Sequence, residues 1–133
     1  MSQENVEVGS RMIDAFNRRD VGAFVEPTTA DFEWFPALGM AVEGSSFRGP
    51  EGVESYFEAL HATWDEVRLV AEEVRDLGES VLWLGRIEGR GRGSGVSVDA
   101  PMGAVFDLRG GNVWRARSYL DHGEGLRAAG LTE

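Results

Sequence analysis

From residue 65 onward the chain gives up helical spacing for strict alternation, and this switch restricts the fold more than any other feature. Val67, Leu69 and Ala71 alternate with charged residues, the period of a strand with one face turned inward. Gly78-Glu79 then turns the chain into SVLWLGRIEGRGRG, another turn falls near 92–95, and DAPMGAVFDLRGGNVWRARSYLD reads as two strands joined at Gly110-Gly111. Long strands linked by tight turns pair as antiparallel neighbours, so the C-terminal half is a meander.

The N-terminal half is helical. After a cap at Ser2, Val6, Val8, Met12, Ile13 and Phe16 recur at helical spacing and predict a helix over about 3–18. Asp20 caps a second, short helix that carries Val21, Phe24 and Val25 and stops at Pro27. ADFEWFP is a first strand with Phe32 and Trp34 on one side and Glu33 and Phe35 on the other. Gly49-Pro50 starts a helix over about 50–64 with Val53, Tyr56, Phe57, Leu60 and Trp64 along one stripe and His61 at its edge. A last helix, about 122–129, is closed by Gly130. The order predicts one α+β domain over 1–133, a bent antiparallel or mixed sheet forming a cone, its concave face covered by the long first helix and two to three shorter ones.

Alternation also assigns faces. The strand from 80 is apolar on both sides, with Val81, Trp83 and Ile87 on one and Leu82 and Leu84 on the other, so one face is expected toward a pocket and one toward a second subunit. Arg86 lies on that strand, and its face is left open. On the closing strand Trp114, Ala116, Ser118 and Leu120 form a small, apolar set suited to a cavity wall, while Arg115, Arg117, Tyr119 and Asp121 look outward to solvent or a dimer partner.

Composition narrows the partners. The net charge of −10 argues against nucleic acid and anionic membrane, both of which demand basic patches. No apolar run approaches the ~20 residues that span a bilayer. The absence of cysteine excludes thiolate metal sites and disulfides, and with no signal-peptide pattern at the N-terminus a cytoplasmic location is expected. His61 and His122 stand alone without metal-ligand spacing, so neither metal nor cofactor is expected. RGRGSG joins strand to strand and lacks the following helix that a phosphate cradle needs.

The segments AFNRRDVGAFVE, ADFEWFP, FRGPEGVESYFEAL, SGVSVDAP and RGGNVWRARSYLD with GLRAAGL together resemble the SnoaL-like branch of the nuclear transport factor 2-like superfamily, over about residues 3–131. The resemblance implies a cone-shaped α+β fold around an apolar pocket. It leaves activity open, because the superfamily holds ketosteroid isomerases, limonene epoxide hydrolases, polyketide cyclases, dehydratases and binding proteins without chemistry. It further implies homodimers through the outer face of the sheet, with Arg115 or Arg117 paired to carboxylates.

The isomerase set needs a carboxylate base and an oxyanion hole made by a Tyr and a protonated Asp. Carried over, those positions fall on Phe35, Met12 and Gly103 or Ala104, none of which moves a proton. Arg86, Asp99 and Asp121 have the residue types of the epoxide hydrolase set without its spacing. A SnoaL-type cyclase is implied to need little more than one acidic group, which leaves His61 and Asp121 as the candidates for catalysis, each with a plainer role as a packing histidine or a helix cap. The sequence therefore favours a small-molecule-binding protein whose apolar pocket is lined by Met12, Phe16, Trp34, Phe57, Leu60, His61, Trp64, Trp83, Arg86 and Leu120. The alternative is a cyclase, isomerase or hydrolase acting on a hydrophobic carbonyl or epoxide compound. A third reading is a scaffold domain whose cavity is filled by its own Trp and Phe side chains.

Overall fold

A computed structural model of the chain describes residues 2–37, 46–93 and 95–131. The helices are α1 (Ser2–Arg18), α2 (Val21–Val25), α3 (Gly49–Thr63) and α4 (His122–Ala128), and the strands are β1 (Thr28–Phe35), β2 (Phe47–Arg48), β3 (Trp64–Asp76), β4 (Ser80–Gly91), β5 (Ser97–Arg109) and β6 (Asn112–Tyr119). The six strands form one open mixed sheet in the order β2-β1-β6-β5-β4-β3, with β1 parallel to β6 and every other pair antiparallel. The α+β architecture is the one the alternation predicts. The cap expected at Ser2 rests on a side chain outside the described residues.

Local chemistry sets the boundaries. Asp20 accepts a hydrogen bond from the Ala23 N–H at 3.1 Å and starts α2. α3 opens on Gly49-Pro50, where the proline's missing N–H leaves nothing unsatisfied. Gly110 and Gly111, with φ of 62° and 86°, supply the two left-handed positions that a tight β5–β6 turn requires. α1 ends at Arg19, a non-glycine residue with φ of 60°. Just before it, the Asn17 amide donates to the Leu69 carbonyl at 3.0 Å and accepts from the Leu69 N–H at 2.8 Å. Because β3 is an edge strand, Asn17 satisfies both backbone groups that Leu69 would otherwise leave unpaired. Asn17→Ala is expected to cost about 1–2 kcal/mol, and Asn17→Asp, which keeps the acceptor and loses the donor, to cost nearly as much. Urea melts check this; a wild-type midpoint for either variant contradicts the assignment.

The main core gathers Val8, Met12, Ile13 and Phe16 of α1 and Val53, Tyr56, Phe57 and Leu60 of α3 against Val81, Trp83, Ile87, Ala104, Phe106 and Ala116 of the sheet. The odd-numbered positions of β4 thus face α1 to α3. The even positions Leu82 and Leu84, with Val105, form a second cluster packed by Leu126, Ala128 and Ala129 of the C-terminal helix region. That second face was expected to meet another subunit; here α4 of the same chain covers it. The helix comes close because Gly125 meets Gly103, where a Cβ would lie 3.3 Å from the Gly103 Cα, and because His122 Nε2 hydrogen-bonds with the Gly85 carbonyl at 2.8 Å.

Bulges redirect individual strands. Between Asp107 and Leu108 the β5–β6 register shifts, so that Arg115 opposes Asp107 while Val113 opposes Leu108. Val113 is therefore fully buried, and Trp114 turns outward beneath two guanidiniums, 5.1 Å from Arg109 and 4.6 Å from Arg115. The inward place that strict alternation gives Trp114 is corrected by this one extra residue.

Candidate functional site

A recess lies between α1, the end of β1 and the inner face of the sheet. Its wall takes Met12, Ile13 and Phe16 from α1, Phe24 from α2, Tyr56 from α3, and Trp34, Pro36 and Ala37 from the end of β1 and just beyond. The sheet adds Leu69, Ile87, Met102, Ala104, Phe106, Ala116 and Ser118. Counting its open mouth the recess spans about 460 Å³, but the room that a water-sized sphere can occupy is about 30 Å³, enough for about two waters. The smaller figure decides what fits without movement, and the aromatic side chains account for it. Phe24 and Trp34 pack with ring centres 4.8 Å apart, and Tyr56 meets Trp34 at 4.7 Å.

The wall carries two hydroxyls, on Tyr56 and Ser118, and the indole N–H of Trp34, with no carboxylate, imidazole, guanidinium or ammonium group among the described residues. Burial raises the Tyr56 phenol above its ordinary pKa, so it stays protonated and does not serve as a base.

Of the residues that the sequence pointed to, Met12, Phe16 and Trp34 stand on the wall. Phe57, Leu60 and Trp83 are buried in the core away from it; Phe57 packs against Phe16 and Phe24, each at 5.6 Å. Trp64 opens β3 and lies against Gly89. Leu120 is 42% exposed, just past β6. Arg86 is ion-paired with Asp99 across β4 and β5, a partner that raises its pKa, and it is not on the wall.

His61 sits half-buried near the end of α3, its ring 5.9 Å from Phe57, and its carbonyl accepts from Arg92 Nε at 3.0 Å. Burial, with Arg19 and Arg92 adding to it, lowers the His61 pKa below the ordinary value. Asp121 caps α4 through the Glu124 N–H at 3.0 Å. Neither residue borders the recess. Arg86 and Asp99 are held to each other while Asp121 serves the helix, so the hydrolase-like trio is not assembled as a site. Of the two alternatives for the isomerase acid, Ala104 faces the recess and Gly103 faces α4; Met12 is on the wall, and Trp34 and Pro36 are there in place of Phe35.

The outward arginines also find partners within the chain. Arg115 Nε and Arg117 Nη2 reach the same Asp107 oxygen at 2.8 and 3.2 Å, and Ser80 donates to the other at 2.7 Å. Among the described residues there is no cluster of His, Asp and Glu that could hold a metal, and no helix is long and apolar enough to cross a membrane.

A family model described as a SnoaL-like domain matches residues 10–116. The chain belongs to the SnoaL-like family. Solved structures agree on the fold. A nuclear transport factor 2-like protein of unknown function from Burkholderia pseudomallei superposes on the SnoaL-like chain with a TM-score of 0.79 at 22% identity, covering 93% of this chain and 95% of that one. TerC, co-crystallised with polyporic acid, gives 0.77 at 20% identity over 90% and 92%. A protein from Jannaschia sp. CCS1 assigned as a SnoaL-like polyketide cyclase gives 0.77 at 23% identity over 91% and 88%. No curated protein matches.

Ala116 and Ser118 stand on the wall as the alternation of the closing strand predicts, whereas sequence reasoning did not name Ile13, Phe24, Pro36, Ala37, Tyr56, Leu69, Ile87, Met102, Ala104 and Phe106 as its lining. Leu69 and Ile87 are direct cross-strand neighbours, which the alternation of each strand hints at but only the register reveals.

Proposed function

We propose that this SnoaL-like protein binds a small hydrophobic molecule in the recess and performs no proton transfer there. The observation that carries the reading is the wall itself, which among the described residues has thirteen apolar residues, two hydroxyls and no group that exchanges a proton near neutral pH. Met12 and Met102 on that wall favour an adaptable fit, because an unbranched thioether repacks at little cost. The co-crystallised TerC structure supports a ligand-binding role by likeness of fold. A cytoplasmic location fits the cysteine-free sequence. A homodimer through the outer sheet face fits the half-buried Phe35, Arg117 and Tyr119 there.

The test is a titration with naphthalene, followed by tryptophan fluorescence, since Trp34 borders the recess. A saturable change is expected in the wild type as Met12 and Met102 repack to admit the ring, with affinity falling about tenfold in Ala104→Val, which narrows the recess. No saturable change at the solubility limit would leave the scaffold reading in its place.

The likeness to a polyketide cyclase keeps one rival in view, an enzyme using His61 or Asp121. It requires that a ligand be consumed, and that His61→Ala or Asp121→Asn abolish turnover in a folded protein.

A further inference from the structure

We infer that the recess selects an uncharged molecule bearing one hydrogen-bonding oxygen, which Ser118 holds. The inference rests on the binding reading above and adds the ligand's charge and polar group. The arginines of β4 and β6 are committed elsewhere. Arg86 is paired with Asp99, and Arg115 and Arg117 with Asp107 on the far side of the sheet. His61 lies off the wall with two arginines beside it. A carboxylate or ammonium group entering the recess would lose its hydration and gain no counter-charge from the described residues of the wall, a penalty that outweighs the apolar contact its carbon skeleton makes.

Ser118 carries the hydroxyl on this wall that is open to a ligand. It stands directly opposite Ala104 on the β5–β6 pair, both on the wall. Its hydroxyl has no hydrogen-bond partner among the described residues. A serine hydroxyl both donates and accepts, so it serves an alcohol or a ketone equally. In an apolar enclosure one such contact fixes which end of the molecule points inward.

Four probes of one shape separate the alternatives: toluene, benzyl alcohol, benzoate and benzylammonium, titrated calorimetrically into wild type and Ser118→Ala. Benzyl alcohol is expected to bind roughly threefold to tenfold more tightly than toluene in the wild type, and this advantage disappears in Ser118→Ala. Both ions are expected to bind at least about 100-fold more weakly than the alcohol. Alanine is already at home on this wall at 104 and 116, and should the variant still fail to fold, the wild-type comparison of neutral and ionic probes decides. An ion binding within tenfold of the alcohol overturns the inference, as does an alcohol advantage that survives in Ser118→Ala. If none of the four binds, the binding reading itself falls and this inference with it.

Discussion

Gly85→Ala is expected to destabilise the protein by about 3 kcal/mol or more, lowering the melting temperature by roughly 10 °C. A Cβ at this position would lie 2.1 Å from the Val70 carbonyl oxygen and 2.7 Å from the Trp83 ring. The first contact is the severe one, because Val70 is backbone of the paired strand β3 and cannot rotate away. The Trp83 indole occupies the space where a side chain would stand, and it is itself almost fully buried. The Gly85 carbonyl meanwhile partners His122, so a shift of β4 would also disturb the seat of α4. Gly22→Ala is the control. A Cβ there meets only the Asp20 carboxylate at 3.8 Å, and replacing a helical glycine should stabilise by about 0.5–1 kcal/mol. A Gly85→Ala protein that melts within 2 °C of wild type would show that the two strands are not locked as described.

The second large effect lies on the opposite face. Asp107 is 7% exposed and gathers Ser80, Arg115 and Arg117. Asp107→Ala would leave two guanidiniums side by side with no anion between them, at an expected cost of about 2–3 kcal/mol. That is below the range for a fully buried pair because the arginine side chains retain 33% and 23% exposure. Arg117→Met should behave very differently. It leaves Asp107 with Arg115 and Ser80, and it removes Arg117 Nε, a buried donor with no partner, so a change of less than about 1 kcal/mol is expected. Guanidinium melts of both variants test the asymmetry; equal losses would mean that the cluster is not centred on Asp107.

The fold was legible because its signals are local. Asp20, Pro27, Gly49-Pro50, Gly110-Gly111, Asp121 and Gly130 each act within a few residues of themselves, and alternation or helical spacing fills the rest. What failed was local as well, though silent in the sequence: nothing in RGGNVWRARS announces that Trp114 is an extra residue against β5. The covering of Leu82 and Leu84 by α4 depends on Gly103 meeting Gly125, a contact between segments that spacing does not relate. The recess was less legible than the core, for a physical reason. Periodicity separates inside from outside, and it placed Ala116 and Ser118 on the wall, but Phe57, Leu60 and Trp83 are inside without touching the free space. Helix spacing gives the direction of a side chain; only packing decides whether another side chain reaches the same place first.

Asn17 has one more consequence. An open sheet ends in a strand whose outer backbone groups remain free to recruit a stranger, and β3 is long enough to template such growth into a fibre. The α1 side chain occupies the slot at Leu69 with the same donor and acceptor that a peptide bond would offer. A chain approaching this border finds its middle already taken, and the sheet stops at six strands.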